Sequence, residues 1–229
     1  LEYLARTVRV APAAAAVAVC QDRIAEKAFL HEHGLPHGPY AVIRTAADIK
    51  AADSALFPGI VKVARFGYDG KGQARVNTPD EALAAFHGNA DKPCVLEALL
   101  PLDVEVSVVL ARGNNGQTEC FPVAENSHRD GILDVSIVPA RIPAALADNA
   151  RQCALSIASD LDYVGTLAVE FFVSGGKLCV NEMAPRPHNS GHWSQDGAVT
   201  GQFEQHLRAV ADLPLGDTAP RAAWSVMVN

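Results

Sequence analysis

Paired cysteines, basic clusters and long apolar runs are missing from this chain of 229 residues. Its five cysteines are widely spread and form no CxxC pair, which argues against a disulfide framework or a zinc site and favours a reducing cytoplasm. No block of consecutive basic residues occurs and the net charge is −7, so we expect no nucleic-acid surface, although a local basic pocket could still bind phosphates. The most apolar segment, Ala11 to Cys20, is too short to span a membrane.

Two common nucleotide-binding signatures are also absent from the glycine-rich loop at Gly67–Gln73. It matches neither GxGxxG nor GxxxxGK[ST], and the chain lacks the regular alternation of strands and helices that a Rossmann domain shows. Several hairpins and helices are mixed instead, so we expect an α+β fold with largely antiparallel sheets. Because the chain begins at Leu1 and ends within a predicted strand, we also expect it to be part of a longer polypeptide.

Cap residues and apolar periodicity divide the chain into short elements. Asp22, Thr45 and Thr78 have the side chains that cap helix N-termini, and Asp48 and Glu81 complete capping-box spacing. The predicted helices are 22–33, a short one from 45, 78–87, 143–161 and 203–211, and the predicted strands are 40–43, 59–63, 94–97, 103–112, 120–124, 165–173 and 177–181.

The last two strands form a predicted β-hairpin that carries one carboxylate on each strand, Glu170 and Glu182. With a loop at Ser174–Gly176, Glu170 faces Val180 and Glu182 is its diagonal neighbour on the same face. Two carboxylates about 4–5 Å apart repel by roughly 4 kcal/mol at an effective dielectric of 20. A hard divalent cation would offset that repulsion, with the amide of Asn181 as a further oxygen ligand. The alternative is that both glutamates lie on the solvent-exposed face of an ordinary hairpin.

Two loops have the composition of anion-binding segments. The loop at Gly67–Gln73 has three glycines, whose backbone N–H groups can approach a ligand closely, and Lys71 and the preceding strand's Lys62 add positive charge. These features suit a polyphosphate, but for the loop taken alone a flexible surface turn is the better explanation. After the hairpin, prolines stiffen the segment 184–192, where Arg186 offers a planar guanidinium to an oxyanion.

The segments FGYDGKGQ (66–73) and NEMAPRPHNSGHW (181–193) resemble those of the N5-carboxyaminoimidazole ribonucleotide synthetases, a family within the ATP-grasp superfamily. The resemblance covers nearly the whole chain from Gln21. It implies an ATP-grasp fold, in which two α+β subdomains grip ATP between largely antiparallel sheets. Residues 1–19 would then be the tail of a preceding domain, 20–211 the ATP-grasp domain with its small lid subdomain at about 56–97, and 212–229 a linker and the start of a truncated C-terminal domain.

The resemblance also assigns a nucleotide site. Beside the phosphates it places Arg23 and Lys62, and in the loop that covers them Gly67, Tyr68, Asp69, Gly70, Lys71, Gly72 and Gln73. At the hinge, whose backbone would bind the adenine edge, it places Glu97, Ala98, Leu99 and Leu100. It places Glu105 at the ribose, and His128, Asn181 and Glu182 along the rest of the site. Without the resemblance, Arg23 would be a solvated side chain in a helix's first turn. Glu105 would be a polar position on an alternating strand, and His128 a loop histidine.

Catalysis and substrate binding follow from the same resemblance. Glu170 and Glu182 correspond to Mg²⁺ ligands, and Lys62, Arg186, His188 and Asn189 to catalytic residues, the last three holding bicarbonate and the carboxyphosphate made from it. Tyr68, Asp69 and Lys71 lie where the family contacts 5-aminoimidazole ribonucleotide (AIR).

The implied activity is the ATP-dependent carboxylation of AIR with bicarbonate, in purine biosynthesis. The expected cofactors are ATP and Mg²⁺, and the expected protein is a cytoplasmic homodimer that binds neither nucleic acid nor membrane. Two alternatives remain open: another ATP-grasp ligase that forms an acyl phosphate, and an ATP-binding module without turnover. The run after Glu182 argues against the first alternative. The intact set of charged residues argues against the second: Lys62, Glu170, Glu182 and Arg186.

Overall fold

The structure, a computed structural model, describes residues 1–67 and 72–229. Its helices are α1 (Ala14–Cys20), α2 (Arg23–Glu32), α3 (Ala46–Ala51), α4 (Pro79–Gly88), α5 (Ala144–Asp160), α6 (Ser194–Gly197) and α7 (Gln202–Val210). Its strands are β1 (Tyr40–Ile43), β2 (Gly59–Val63), β3 (Gln73–Val76), β4 (Cys94–Ala98), β5 (Val104–Arg112), β6 (Thr118–Cys120), β7 (Ala124–Arg129), β8 (Ile132–Val138), β9 (Gly165–Ser174), β10 (Lys177–Ala184) and β11 (Ser225–Val228).

The smaller of two sheets contains four strands in the order β1–β4–β2–β3, and each neighbouring pair is antiparallel. Ile49 of α3 and Phe86 of α4 pack with Leu96 of β4 in one apolar cluster. The cap residues act as predicted at α4, where the Thr78 hydroxyl accepts the backbone N–H of Glu81. The sheet and its two helices therefore form a small α+β unit with a core of its own.

The larger sheet runs β10–β9–β5–β7–β8–β11, with β6 paired to β5, and its pairings are also antiparallel. The even-numbered residues Val106, Val108 and Leu110 of β5 face a core that includes Ala154 and Ile157 of α5. This arrangement confirms the alternation predicted for β5 and the apolar stripe predicted for α5. The expectation of an α+β fold with antiparallel sheets is confirmed.

The strand β7 was not predicted because the polar residue Asn126 occupies its buried face, and β8, which buries Ser136 as well as Leu133 and Val138, was not predicted either. The amide of Asn126 on β7 donates to Ser107 Oγ on β5 at 2.9 Å, and Ser136 Oγ on β8 donates to Asn126 Oδ1 at 2.8 Å. Such a cross-strand hydrogen-bond network replaces the apolar alternation on which strand prediction depends. The single strand predicted at 120–124 is wrong: β6 ends at Cys120 and β7 begins at Ala124, since Pro122 has no N–H for a sheet ladder.

Helix α2 lies against both sheets, contacting β4 and β10. Its predicted N-cap is confirmed, because Asp22 Oδ1 accepts the backbone N–H groups of Ile24 and Ala25. A side chain in the first two turns of α2 can therefore reach the junction between the sheets.

The division into domains stays a prediction. The small sheet takes in β1 as well as the strands within 56–97, and β11 near the C-terminus pairs with β8 at the edge of the large sheet. Across the part of the chain that the structure describes, no helix is long and apolar enough to cross a membrane.

Candidate active site

A cleft of about 680 Å³ lies where the two sheets meet, and residues of both sheets line it. Every predicted site residue that the structure describes lines this one cleft. These residues are Arg23, Lys62, Gly67, Gly72, Gln73, Glu97, Ala98, Leu99, Leu100, Glu105, His128, Glu170, Asn181, Glu182, Arg186, His188 and Asn189. The predictions for Tyr68, Asp69, Gly70 and Lys71 lie outside the described residues.

The two glutamates of the hairpin oppose each other directly, so their predicted diagonal placement is wrong. Strand β9 extends through Ser174, which pairs with Lys177, and a bulge at Asn181 then makes Glu182 the partner of Glu170. Without the bulge, a regular ladder would pair Asn181 with Glu170 and put Glu182 opposite Val169, on the core face of the sheet. The bulge lets Asn181 and Glu182, two consecutive residues, both face the cleft.

Charges near the hairpin separate the two carboxyl groups chemically. Burial, and after it the charge of Glu182, raises the pKa of Glu170 to about 7. Burial alone would raise the pKa of Glu182 as well. Arg23 lies 2.9 Å away, however, and holds the pKa of Glu182 below its ordinary value. The exposed fractions of the two side chains are only 15% and 34%. The alternative of an ordinary solvent-exposed hairpin is therefore wrong.

The donor set at the hairpin fits Mg²⁺. Glu170 and Glu182 supply carboxylate oxygens, and the Asn181 amide lies between Glu170 and Lys62, with its Nδ2 3.5 Å from Glu170 Oε2 and its Oδ1 3.4 Å from Lys62 Nζ. Within the described ranges, no group of three or more His, Cys, Asp or Glu residues forms a complete protein cage for a metal. Mg²⁺ seldom needs such a cage, because it usually takes one or two carboxylates and completes its octahedron with water and substrate phosphates.

Positive charge faces the glutamates from α2 and β2. Lys62 Nζ lies 3.1 Å from Glu97 Oε1, and Arg23 pairs with Glu182. Burial lowers the pKa of Lys62, and the charge of Glu97 opposes that change. Glu97, predicted to act through its backbone, thus also has a charged side chain that pairs with a lysine of the cleft. This side-chain role was not predicted, because the pairing partner is 35 residues away in sequence.

The hinge after β4 leaves few backbone groups for a ligand. The N–H of Ala98 donates to Pro39 O at 3.0 Å, and the N–H of Leu99 donates to Pro58 O at 2.9 Å. Leu100 is the hinge residue whose N–H has no backbone acceptor among the described residues. Only that N–H, together with carbonyl oxygens, is available to an adenine edge.

Glu105 and His128 face each other across neighbouring strands. His128 Nδ1 lies 2.8 Å from Glu105 Oε2, and this close contact with the carboxylate raises the pKa of His128. The interpretation of His128 as a loop residue is wrong, since it lies on β7 next to the cleft. A carboxylate oriented in this way can accept hydrogen bonds from vicinal hydroxyl groups.

The loop after β10 brings a neutral imidazole close to the glutamates. Burial lowers the pKa of His188 to about 4, and the charge of Arg186 adds to the effect. His188 Nε2 lies 3.7 Å from Glu170 Oε1, and its Nδ1 is 2.9 Å from Ser190 Oγ. Asn189, beside it in the cleft, accepts the N–H of Ser190. The loop therefore presents a guanidinium, an imidazole and an amide to one small region.

Several residues that shape the site carry no sequence signal of that role. The apolar walls of the cleft come from strands of both sheets and include Ile60, Val63, Leu102, Leu133 and Phe172. Two buried ionisable residues of α2, Glu26 and Lys27, lie next to residues of the hairpin and of β4: Glu26 accepts the Met183 N–H, and Lys27 pairs with Glu97. Only the spacing of three and four residues from Arg23, which places them on the same side of the helix, could have indicated them.

Comparisons with known proteins agree with this geometry. An ATP-grasp domain model matches residues 28–203. The N5-carboxyaminoimidazole ribonucleotide synthase of Brucella melitensis biotype 1 is 47% identical over 232 residues, a match that covers 100% of this chain and 64% of that protein. The crystal structure of the synthetase from Thermus thermophilus superposes with a TM-score of 0.91 at 43% identity, covering 100% of this chain and 62% of the other.

A third match holds ligands. The synthase of Aspergillus clavatus, in complex with ADP and 5-aminoimidazole ribonucleotide, has a TM-score of 0.90 at 27% identity, covering 100% of this chain and 61% of the other. The chain therefore spans a little under two thirds of the length of the relatives it matches.

Proposed function

Because this chain belongs to the ATP-grasp family, we propose that it binds ATP between its two sheets and that the protein carboxylates AIR with bicarbonate to give N5-carboxyaminoimidazole ribonucleotide. One observation carries this proposal. Two cationic side chains from α2 and β2, two opposed glutamates from the hairpin and the Arg186 loop all line a single cleft. The relatives named above have the same activity in their names, and one of them binds ADP and AIR.

The nucleotide lies along the cleft with its base at the hinge. The Leu100 N–H and neighbouring carbonyl oxygens read the adenine edge, and Glu105, oriented by His128, accepts the ribose hydroxyl groups. Lys62 and Arg23 contact the phosphates, and Gly67, Gly72 and Gln73 line the cleft with them. This order follows the position of each group between the hinge and the hairpin.

Glu170 and Glu182, with Asn181 beside them, would hold Mg²⁺. A magnesium ion bound there would neutralise charge on the phosphates as the γ-phosphoryl group is transferred. The protein's own contribution is to keep both carboxylates on the cleft face through the bulge at Asn181. Arg23 keeps Glu182 ionised for that role.

Bicarbonate binds at the loop after β10, where Arg186, His188 and Asn189 can hydrogen-bond its oxygens. One of its oxygen atoms attacks the γ-phosphorus of ATP, the bond to the β-phosphate oxygen breaks, and ADP and carboxyphosphate form. Carboxyphosphate then carboxylates the exocyclic amine of AIR by one of two routes: the amine attacks its carbonyl carbon as phosphate leaves, or carboxyphosphate first breaks down to CO2 and phosphate and the amine attacks the CO2. In both routes the nitrogen loses a proton. Positive charge fixed at Lys62 and Arg186 stabilises the anionic transition states, and closure of the cleft excludes water.

The decisive assay measures ADP release by the protein with bicarbonate, with and without AIR. We expect turnover to require bicarbonate and the carboxylated product to form only with AIR. ADP release that ignores both compounds would instead support another ATP-grasp ligase. No turnover, with tight ATP binding, would support a non-catalytic module.

A variant tests the glutamate pair directly. Glu182→Ala should lower turnover by at least about 10²-fold while the melting temperature stays close to that of the wild type, because a transition-state charge contact is lost. Glu32→Ala, which removes a carboxylate from the exposed end of α2, is the matched control and should leave turnover unchanged. Near-normal turnover in Glu182→Ala would contradict the role assigned to the pair.

The remaining proposals rest on the family resemblance. We propose a cytoplasmic homodimer, and light scattering of the purified protein would measure its mass. We also propose that 20–211 is the ATP-grasp domain, with a lid at about 56–97, a tail at 1–19 and a linker with the start of a further domain at 212–229. Limited proteolysis with and without Mg·ATP would locate these boundaries.

A further inference from the structure

Lys27 is a fully buried lysine with one carboxylate partner. It lies on α2, one turn after Arg23, and its side chain is 0% exposed. Its Nζ lies 3.0 Å from Glu97 Oε2, while the other oxygen of the same carboxylate lies 3.1 Å from Lys62 Nζ. Buried lysines are rare because the ammonium group loses its hydration. The fold must therefore keep this charge for a reason beyond packing.

Glu97 joins the two lysines into one cluster of charges. Burial raises the pKa of Glu97, but the charges of Lys62 and Lys27 outweigh burial and hold its pKa below the ordinary value. Glu97 is thus ionised, and the three side chains together carry one net positive charge. Neither Lys27 Nζ nor Glu97 Oε1 has a well-directed hydrogen bond among the described residues, so the contacts are ionic.

Only one of the two lysines lines the cleft. Lys62 lines the cleft, whereas Lys27 lies behind Glu97 and does not. Without Lys27, Glu97 would neutralise Lys62 completely, and the cluster would present no net charge to a phosphate. A second contact holds Lys62 in place, since Asn181 Oδ1 lies 3.4 Å from its Nζ.

We propose that Lys27 is a positioning residue for the ATP phosphates: it pairs with Glu97 so that Lys62 keeps its net charge for the polyphosphate. This inference rests on the proposed binding of ATP in the cleft. It assigns to Lys27 no contact with the nucleotide. The role is electrostatic, and it depends on the charge balance of three side chains and not on the identity of any one of them.

The charge balance can be tested with two variants and a control. Lys27→Met removes the buried charge, and the double variant Lys27→Met/Glu97→Gln restores a net charge of one by removing the negative charge as well. Lys50→Met removes a lysine charge from the exposed surface of α3 and is the matched control. Calorimetry measures the affinity for Mg·ATP, saturation-transfer NMR measures the affinity for adenosine, and thermal unfolding checks the fold.

We expect Lys27→Met to lose at least about tenfold in Mg·ATP affinity, equivalent to about 1.4 kcal/mol, with adenosine affinity unchanged. The double variant should bind Mg·ATP with an affinity within about threefold of the wild-type value. Lys50→Met should bind Mg·ATP as tightly as the wild type. Should Lys27→Met fail to fold, the double variant carries the test alone. Equal loss of ATP and adenosine affinity, or a double variant no better than the single one, would overturn the proposal. Failure of the wild type to bind Mg·ATP would instead overturn the proposed function, and this inference with it.

Discussion

Replacing Gln202 with leucine should destabilise the protein and also disable the bicarbonate site. The Gln202 side chain is 0% exposed at the start of α7. Its Oε1 accepts the backbone N–H of His188 at 2.9 Å, and its Nε2 donates to the His188 carbonyl at 2.7 Å. One side chain thus satisfies both backbone groups of a residue in the proposed site. Gly191 packs against it so closely that a Cβ there would collide with the Gln202 amide.

The cost follows from those two hydrogen bonds. Leucine would leave a buried N–H and a buried carbonyl without partners, at about 1–3 kcal/mol each. The added apolar burial of the leucine would offset about 1–2 kcal/mol of that loss. We therefore expect the free energy of unfolding to fall by roughly 1–4 kcal/mol, which for a chain of this size lowers the melting temperature by roughly 2–15 °C.

The chain contains a matched control one turn further along α7. Gln205 is also 0% exposed, and its side chain also hydrogen-bonds both backbone groups of a single residue. Its Oε1 accepts the Gly216 N–H at 2.9 Å, and its Nε2 donates to the Gly216 carbonyl at 2.5 Å. Gly216 does not line the cleft. Gln205→Leu should therefore lose similar stability without moving His188.

Turnover separates the two variants. Assays at a temperature where both are folded should show Gln202→Leu with a raised KM for bicarbonate and kcat lowered by up to about 10²-fold, because the imidazole and its loop are displaced. Gln205→Leu should keep the wild-type values. Equal kinetics in the two variants would refute the reasoning, since the hydrogen bonds to His188 would then contribute only to stability.

Two further predictions concern other groups around the cleft. Burial raises the pKa of Glu26 to about 8, so the folded state holds a proton that the unfolded state has lost from about pH 4.5 upwards, and stability should fall as the pH rises through that window. Glu26→Gln tests this, because its amide oxygen can still accept the Met183 N–H. Urea unfolding at pH 5 and pH 8 should show the loss of stability between these pH values reduced by on the order of 2 kcal/mol. An unchanged loss would mean that another group titrates. Glu105→Gln should lower kcat/KM for ATP by about tenfold but leave kcat/KM for 2′,3′-dideoxy-ATP nearly unchanged. Only ATP has the ribose hydroxyl groups whose hydrogen bonds the carboxylate accepts. Equal losses with both nucleotides would place Glu105 away from the ribose.

Much of the architecture could be predicted from short-range patterns. The caps at Asp22 and Thr78, the period of the stripe on α5 and the glycine turn of the hairpin each act within a few residues, so each is readable in the chain. The candidate site residues were assigned by motif resemblance, and the structure brings the described ones into one cleft.

The features that the sequence patterns did not predict depend on pairing between segments that are distant in the chain. The strands β7 and β8 bury polar residues, and only their partners across the sheet make that burial favourable. The bulge at Asn181 is one extra residue in a ladder, and no local signal distinguishes it from a regular strand.

The helix ends and the hairpin follow from the order of amino acids alone, because those features depend on neighbours a few residues away. Three features of the site arise only in the folded chain: Glu170 and Glu182 are directly opposed, Glu97 joins Lys27 and Lys62 from 70 and 35 residues away, and His188 is neutral. Register, burial and charge pairing are set by contacts between remote segments, and these form only once the chain has folded.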